Sequence, residues 1–156
     1  MGTLSKALAG CGGYIAGETA LIEHLKFLAP GFLYSVGMSP PVAAASTAAL
    51  RCLRREPERV AILRARGKLF YELARAACVD TGSCAGYAVI PAIVGGSVKA
   101  ARLSAALFRR GINVQPILYP AVPEKSARLR FFISSLHSED DIRQAVCALK
   151  EELNNL

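Results

Sequence analysis

The sequence predicts an α/β chain that ends in a small α+β layer with its helices on one face. Three observations carry this. From residue 87 onward the apolar pattern runs strand, helix, strand, strand, helix. A long amphipathic stripe follows Pro57, and everything before it is broken by glycine and proline at short intervals.

Taken in order, residues 1–17 are glycine-rich, with Gly2, Gly10, Gly12, Gly13 and Gly17, a composition that lets a backbone turn tightly and approach a ligand closely. Residues 18–27 read as a short helix that stops before Pro30. Pro41 stands where a helix can begin, with an alanine-rich run over 42–53 behind it. Pro57 interrupts. Residues 58–78 then carry Val60, Leu63, Gly67, Phe70, Ala74 and Ala77 at alternating spacings of three and four, one small apolar helical stripe. After a turn at Asp80-Thr81-Gly82, residues 87–94 read as a buried strand and 97–110 as a helix stopped by Gly111. Residues 112–118 and 128–134 read as two more strands, the second with strong β formers at Phe131, Phe132 and Ile133. Ser138, with Asp141 three residues on, forms a capping box. It opens a last helix striped by Ile142, Val146, Leu149 and Leu153.

Composition narrows the class. The 156 residues are 53% hydrophobic, too apolar for a disordered chain, and the glycines follow no collagen period. Residues 27–50 and 81–98 carry no charge and approach the ~20 residues of a membrane span. Breakers such as Pro30, Pro40, Pro41, Pro91 and Gly95 suit loops and short strands instead, so the reading is a soluble chain without a membrane span. Residues 1–6 show no basic stretch leading into an apolar one, so no signal peptide is expected. Cys11, Cys52, Cys78, Cys84 and Cys147 include no C-x-x-C pair and are odd in number. That spacing argues against a metal site or a disulfide framework and for free thiols in a reducing cytoplasm.

Charge is uneven. The 19 Lys+Arg against 12 Asp+Glu give +7. Residues 51–68 hold Arg51, Arg54, Arg55, Arg59, Arg64, Arg66 and Lys68 against Glu56 and Glu58, so seven minus two places +5 there. A nucleic-acid interface would cluster cations in this way. The segment lacks interleaved aromatics, however, and its arginines lie mostly off the apolar stripe. A solvated helix face is the favoured reading; docking of an acidic partner, such as a carrier protein, is the alternative.

The run Gly2-Thr3-Leu4-Ser5-Lys6-Ala7-Leu8-Ala9-Gly10-Cys11-Gly12-Gly13-Tyr14 is the most informative. It is neither a Walker loop nor a dinucleotide fingerprint. A lysine among small hydroxyl and glycine residues can approach a bound aldehyde while the hydroxyls meet a phosphate. Such an amine must be deprotonated part of the time, which desolvation or a nearby cation provides.

This run closely resembles the cofactor-lysine motif of the α-oxoamine synthases, pyridoxal-phosphate enzymes. Phe32-Leu33-Tyr34-Ser35-Val36-Gly37-Met38-Ser39-Pro40-Pro41 is similar to the family's hydroxyl-rich segment ending in a proline pair. Pro116-Ile117-Leu118-Tyr119-Pro120-Ala121-Val122-Pro123, followed by Arg128-Leu129-Arg130-Phe131-Phe132 and Ser135-Leu136-His137-Ser138, resembles its C-terminal substrate block. Three blocks in the family's order span nearly the whole chain.

The resemblance implies the C-terminal part of a fold-type I pyridoxal-phosphate-dependent transferase. Residues 1–56 would be the remnant of the large cofactor-binding domain, with the Schiff-base lysine and a dimer-interface segment; residues 57–156 would be the small α+β domain. It implies an acyltransferase that condenses an amino acid with an acyl-CoA or acyl-carrier-protein thioester, usually with decarboxylation, to an α-aminoketone. It also implies pyridoxal 5'-phosphate as cofactor and a homodimer as the assembly. Lys6 would hold the cofactor as an internal aldimine and act as catalytic base. Thr3 would donate to the phosphate, and Ser35 would reach it across the dimer interface, with Val36 standing where the family often has a second hydroxyl. Arg130 would clamp the amino-acid carboxylate. Arg128, two residues away, is expected on the opposite face as a surface charge. His137 is expected to fix the strand-to-helix turn or to serve as a hydrogen-bonder near the substrate, His24 to lie on the surface, and Tyr119 to wall the acyl entrance.

The family's acid for the pyridine nitrogen and its ring-stacking histidine precede the lysine. Asp80, Asp140 and Asp141 follow it, so this chain alone is expected to bind the cofactor weakly and turn over little.

Overall fold

A computed structural model describes residues 1–156. The chain forms two compact units, Met1–Pro57 and Glu58–Leu156.

In the first unit, β1 (Gly2–Thr3) pairs antiparallel with β2 (Gly13–Tyr14). Three helices follow: α1 (Thr19–Leu28), α2 (Pro30–Leu33) and α3 (Pro40–Arg55). Proline opens α2 and α3, where its missing N–H would have no intrahelical partner. Only Leu4 and Ser46 are buried in this unit, while Phe27, Phe32, Tyr34 and Val36 are exposed.

The second unit is the α+β layer that its apolar pattern predicts. It comprises α4 (Glu58–Ala76), β3 (Val89–Ile93), α5 (Ser97–Arg109), β4 (Gln115–Ile117), β5 (Arg128–Phe132) and α6 (Glu139–Asn154). The sheet order is β3-β5-β4, antiparallel throughout. Pro91 and Pro116 sit in the two outer strands, where a missing N–H breaks no ladder on the open side. Residues 112–114 stay outside β4, so this strand is shorter than its apolar run suggests. The Ile112 amide instead donates to the Leu107 carbonyl and closes the end of α5, with Gly111 at φ +81°.

One face of the sheet, Ile90, Ala92, Leu129, Phe131 and Ile133, packs into the core. Against it lie Phe70 and Ala74 of α4, Leu103 and Leu107 of α5, and Ile142, Val146 and Leu149 of α6. The α4 stripe does what its spacing requires, with Gly67, Phe70 and Ala74 buried. Gly67 is where α4 meets the backbone ahead of β3. A Cβ added there would stand 2.6 Å from the Tyr87 carbonyl oxygen and 3.0 Å from that of Gly86. Helix propensity favours alanine by about 1 kcal/mol, but overpacking costs about 1–3 kcal/mol and the obstructing atoms are backbone. Gly67→Ala is therefore expected to lower the urea midpoint of this unit; an unchanged or raised midpoint would refute the close approach.

Two helix starts depend on carboxylates. Ser138 Oγ accepts from the Asp141 amide, and the Asp141 carboxylate accepts from the Ser138 amide at 2.8 Å, completing the capping box on α6. On α5 the cap is distant: the Glu124 carboxylate accepts from the Ser97 amide at 2.7 Å and from the Ser97 hydroxyl. The Ser97 hydroxyl, then its amide, holds Glu124 below the ordinary value of 4.5. The Ser138 hydroxyl, then its amide, holds Asp141 below 3.8. A depressed carboxyl means that the unfolded chain takes up the proton first. The stabilisation is thus present above those ordinary values and fades as pH falls through the lower folded ones. Acidification from about pH 5 to about pH 3 is expected to lower Tm more steeply in the wild type than in Glu124→Gln/Asp141→Asn. Parallel slopes would sink that account.

Candidate active site

The loop between β1 and β2 carries Lys6 at its tip. Leu4 is buried and its backbone is paired on both sides, its amide donating to Gly12 at 2.9 Å and its carbonyl accepting from Gly10 at 2.8 Å. The Ala9 amide closes a turn on the Lys6 carbonyl at 3.1 Å. Glycine is required at two points. Gly12 has φ +110°, and a Cβ on Gly10 would stand 2.4 Å from Ser46 Oγ on α3. With Leu4 inward, the residues beside it face out, and Lys6 Nζ donates to the Ser5 hydroxyl at 3.3 Å. Thr3 is exposed on β1 in the same loop. One amine, two hydroxyls and a surround of glycine backbone form a donor set that fits an aldehyde and a phosphate.

Ser35 lies just after α2, where its hydroxyl donates back to the Gly31 carbonyl; it must turn away from that carbonyl to serve a ligand. Thr3, Lys6 and Ser35 all belong to the first unit and Arg130 to the second.

Arg130 is at the centre of β5, half-buried, paired in register with Pro91 of β3 and Gln115 of β4. It lines a cavity of about 830 Å³ with Asn113, Gln115, Phe132, His137 and Asp141. The expectation for Arg128 is overturned. Residues two apart on a strand share a face, and the alternation along β5 puts Arg128, Arg130 and Phe132 together, opposite buried Leu129 and Phe131. Arg128 Nε donates to the Ser126 carbonyl at 2.8 Å, and the residue lines a separate cavity of about 420 Å³ with Thr81 and Ile93.

His137 Nδ1 accepts from the Ser134 amide at 3.2 Å, and the His137 amide donates to the Ser134 carbonyl, so it ties the turn between β5 and α6. It also lines the Arg130 cavity. His24 is exposed on α1, and Tyr119 is 69% exposed beside a cis peptide bond to Pro120. All five cysteines are free thiols, and none is buried. No helix is long and apolar enough to cross a membrane. In the basic segment, Arg66 pairs with Glu139 and Lys68 with Glu72. Sequence reasoning singled out neither Gln115, which strand register brings beside Arg130, nor Asn113, which lines the same cavity.

The family model for aminotransferase class I and II matches residues 1–149. The 8-amino-7-oxononanoate synthase of Symbiobacterium thermophilum is 39% identical over 148 residues, 95% of this chain and 38% of its own. The solved 8-amino-7-oxononanoate synthase of Francisella tularensis superposes with TM-score 0.84 at 26% identity, covering 98% of this chain and 44% of that one. A serine palmitoyltransferase solved with its PLP internal aldimine shares the fold at TM-score 0.88 and 20% identity, over 99% of this chain and 39% of its own. The chain thus spans about 38% of the length of the curated relatives it matches. The expected fold-type I transferase fold stands over that portion. With 149 of its 156 residues matched, the chain belongs to the aminotransferase class I and II family, and its relatives bear out the α-oxoamine synthase resemblance of its three motif blocks.

Proposed function

We propose that this chain supplies the lysine and the carboxylate-binding arginine of a cytoplasmic, homodimeric, pyridoxal-phosphate-dependent acyltransferase. The reaction condenses an amino acid with an acyl-CoA or acyl-carrier-protein thioester, usually with decarboxylation, to an α-aminoketone. The observation that carries the reading is an exposed Lys6 in a glycine-locked loop, its amine donating to the Ser5 hydroxyl alone, with Thr3 exposed on the adjoining strand β1.

Lys6 would anchor the cofactor covalently through its amine, with Thr3 and a partner subunit's copy of Ser35 donating to the phosphate. The bound cofactor supplies an electron sink for the pair left on the substrate's α-carbon. Arg130 would take the substrate carboxylate in a bidentate grip, for which its planar fork suits better than a lysine. That grip orients the α-carbon and limits the motions lost on reaching the transition state. The freed Lys6 amine would accept the α-proton and return a proton to the product.

Among the acids after Lys6, Asp80 accepts from the Gly82 amide and Asp141 caps α6. Asp140, like them, follows the lysine, whereas the resemblance puts the acid for the pyridine nitrogen before it, so these 156 residues alone would hold the cofactor weakly. Titration with pyridoxal phosphate is expected to give no saturable band above ~400 nm at micromolar concentration, the region of its protonated lysine adducts. Borohydride trapping at millimolar concentration, followed by peptide mapping, is expected to place the label on Lys6. A saturable micromolar band would refute weak binding, and label spread over other lysines, or none, would refute the site. The alternative of a non-catalytic module docking an acidic carrier protein loses support from the Arg66 and Lys68 ion pairs within the chain. Binding to such a carrier that is lost in Arg54→Glu/Arg55→Glu would restore it.

A further inference from the structure

The open face of the sheet places a carboxamide directly beside Arg130. Gln115 of β4 pairs in register with Arg130 of β5, so the two side chains rise from the same face of neighbouring strands. Cβ atoms of such pairs stand about 4.5–5.5 Å apart. On its other side Arg130 faces Pro91, which offers no polar side-chain atom. Gln115 Nε2 donates one hydrogen to Asn113 Oδ1 at 3.1 Å, which orients the amide and leaves its second N–H free. Asn113, Gln115 and Arg130 line one cavity.

We propose that Gln115, oriented by Asn113, is a second donor to the substrate carboxylate that Arg130 receives; this deepens the reading of Arg130 given above and rests on it. A carboxylate accepts about four hydrogen bonds, more than one guanidinium fork fills. A neutral amide adds a donor without adding a charge, so the site stays matched to a single negative group. Arg128 does not fill this role, because Ile93 and Ile117 are its neighbours in register and its Nε is engaged by Ser126.

The test compares two stable probes, N-phosphopyridoxyl-L-alanine and N-phosphopyridoxyl-ethylamine, which differ in the carboxylate alone. Their affinities for the full chain are read from probe fluorescence, and their ratio isolates the carboxylate. Gln115→Ala is expected to reduce that ratio about tenfold, the scale of a hydrogen bond to a charged group. Gln115→Glu is expected to reduce it further, because a carboxylate opposite Arg130 competes for its donors. Gln115 is exposed, so unchanged thermal melts are expected for both variants. A wild-type ratio in either variant, while Arg130→Ala collapses it, overturns the role of Gln115 alone. A wild-type ratio in Arg130→Ala, or no measurable binding of either probe at millimolar concentration, overturns the underlying reading together with the inference.

Discussion

Lys6→Ala is expected to abolish covalent capture of pyridoxal phosphate and to lower any turnover by about 10²–10⁴-fold, the usual contribution of a positioned proton-transfer group. Loss of the covalent anchor would add to that. The substitution removes an exposed side chain whose sole partner is the Ser5 hydroxyl, while the loop is held by Leu4, Gly10 and Gly12 backbone bonds. Folding should therefore be unaffected, and circular dichroism and melting temperature should match the wild type. Lys6→Arg separates charge from chemistry. It retains the cation, but its guanidinium stays protonated, so it is expected to be as inactive as the alanine variant. Borohydride-stable label at stoichiometric yield in Lys6→Ala would refute the assignment.

Phe70→Ala is expected to cost the second unit about 3–5 kcal/mol. Phe70 is 1% exposed, and its ring centroid lies 4.8 Å from that of Phe131, tilted by 41°. It bridges α4 to the central strand, so deleting it opens a cavity where helix and sheet meet. Since whole domains are stable by about 5–15 kcal/mol, much of the second unit's stability would go. Urea unfolding followed by near-ultraviolet tyrosine signal measures it, and a loss below about 1 kcal/mol would contradict the packing role. Phe132, next to Phe131 on β5, is 62% exposed on the open face and is expected to tolerate alanine far better.

The contrast between Phe70 and Glu124 shows what kind of information a sequence carries. Phe70 was legible because a helix repeats every 3.6 residues, so the stripe from Val60 to Ala77 names its own inward face. The capping box of Ser138 and Asp141 was legible because both partners lie within one turn. The cap on α5 was not: Ser97 and Glu124 are 27 residues apart, and no local rule pairs them. Arg128 is a different case, since the period of two that sets Leu129 inward also sets Arg128 beside Arg130. Gly67 was legible as part of the stripe, but its close approach to the 86–87 backbone was not.

By itself, then, the sequence determined the order and type of the elements from α4 onward, the helices α1 and α3, the lysine loop and the family resemblance, all of which rest on local periodicity or on contiguous motifs; the short β1-β2 pair and the single turn of α2 are too brief to show a period. Tertiary structure alone decided the sheet order β3-β5-β4, the distant carboxylate on α5 and the pairing of Gln115 with Arg130. Strand register joins residues 15 positions apart through backbone hydrogen bonds, and neither side chain carries a mark of which partner that register will bring beside it.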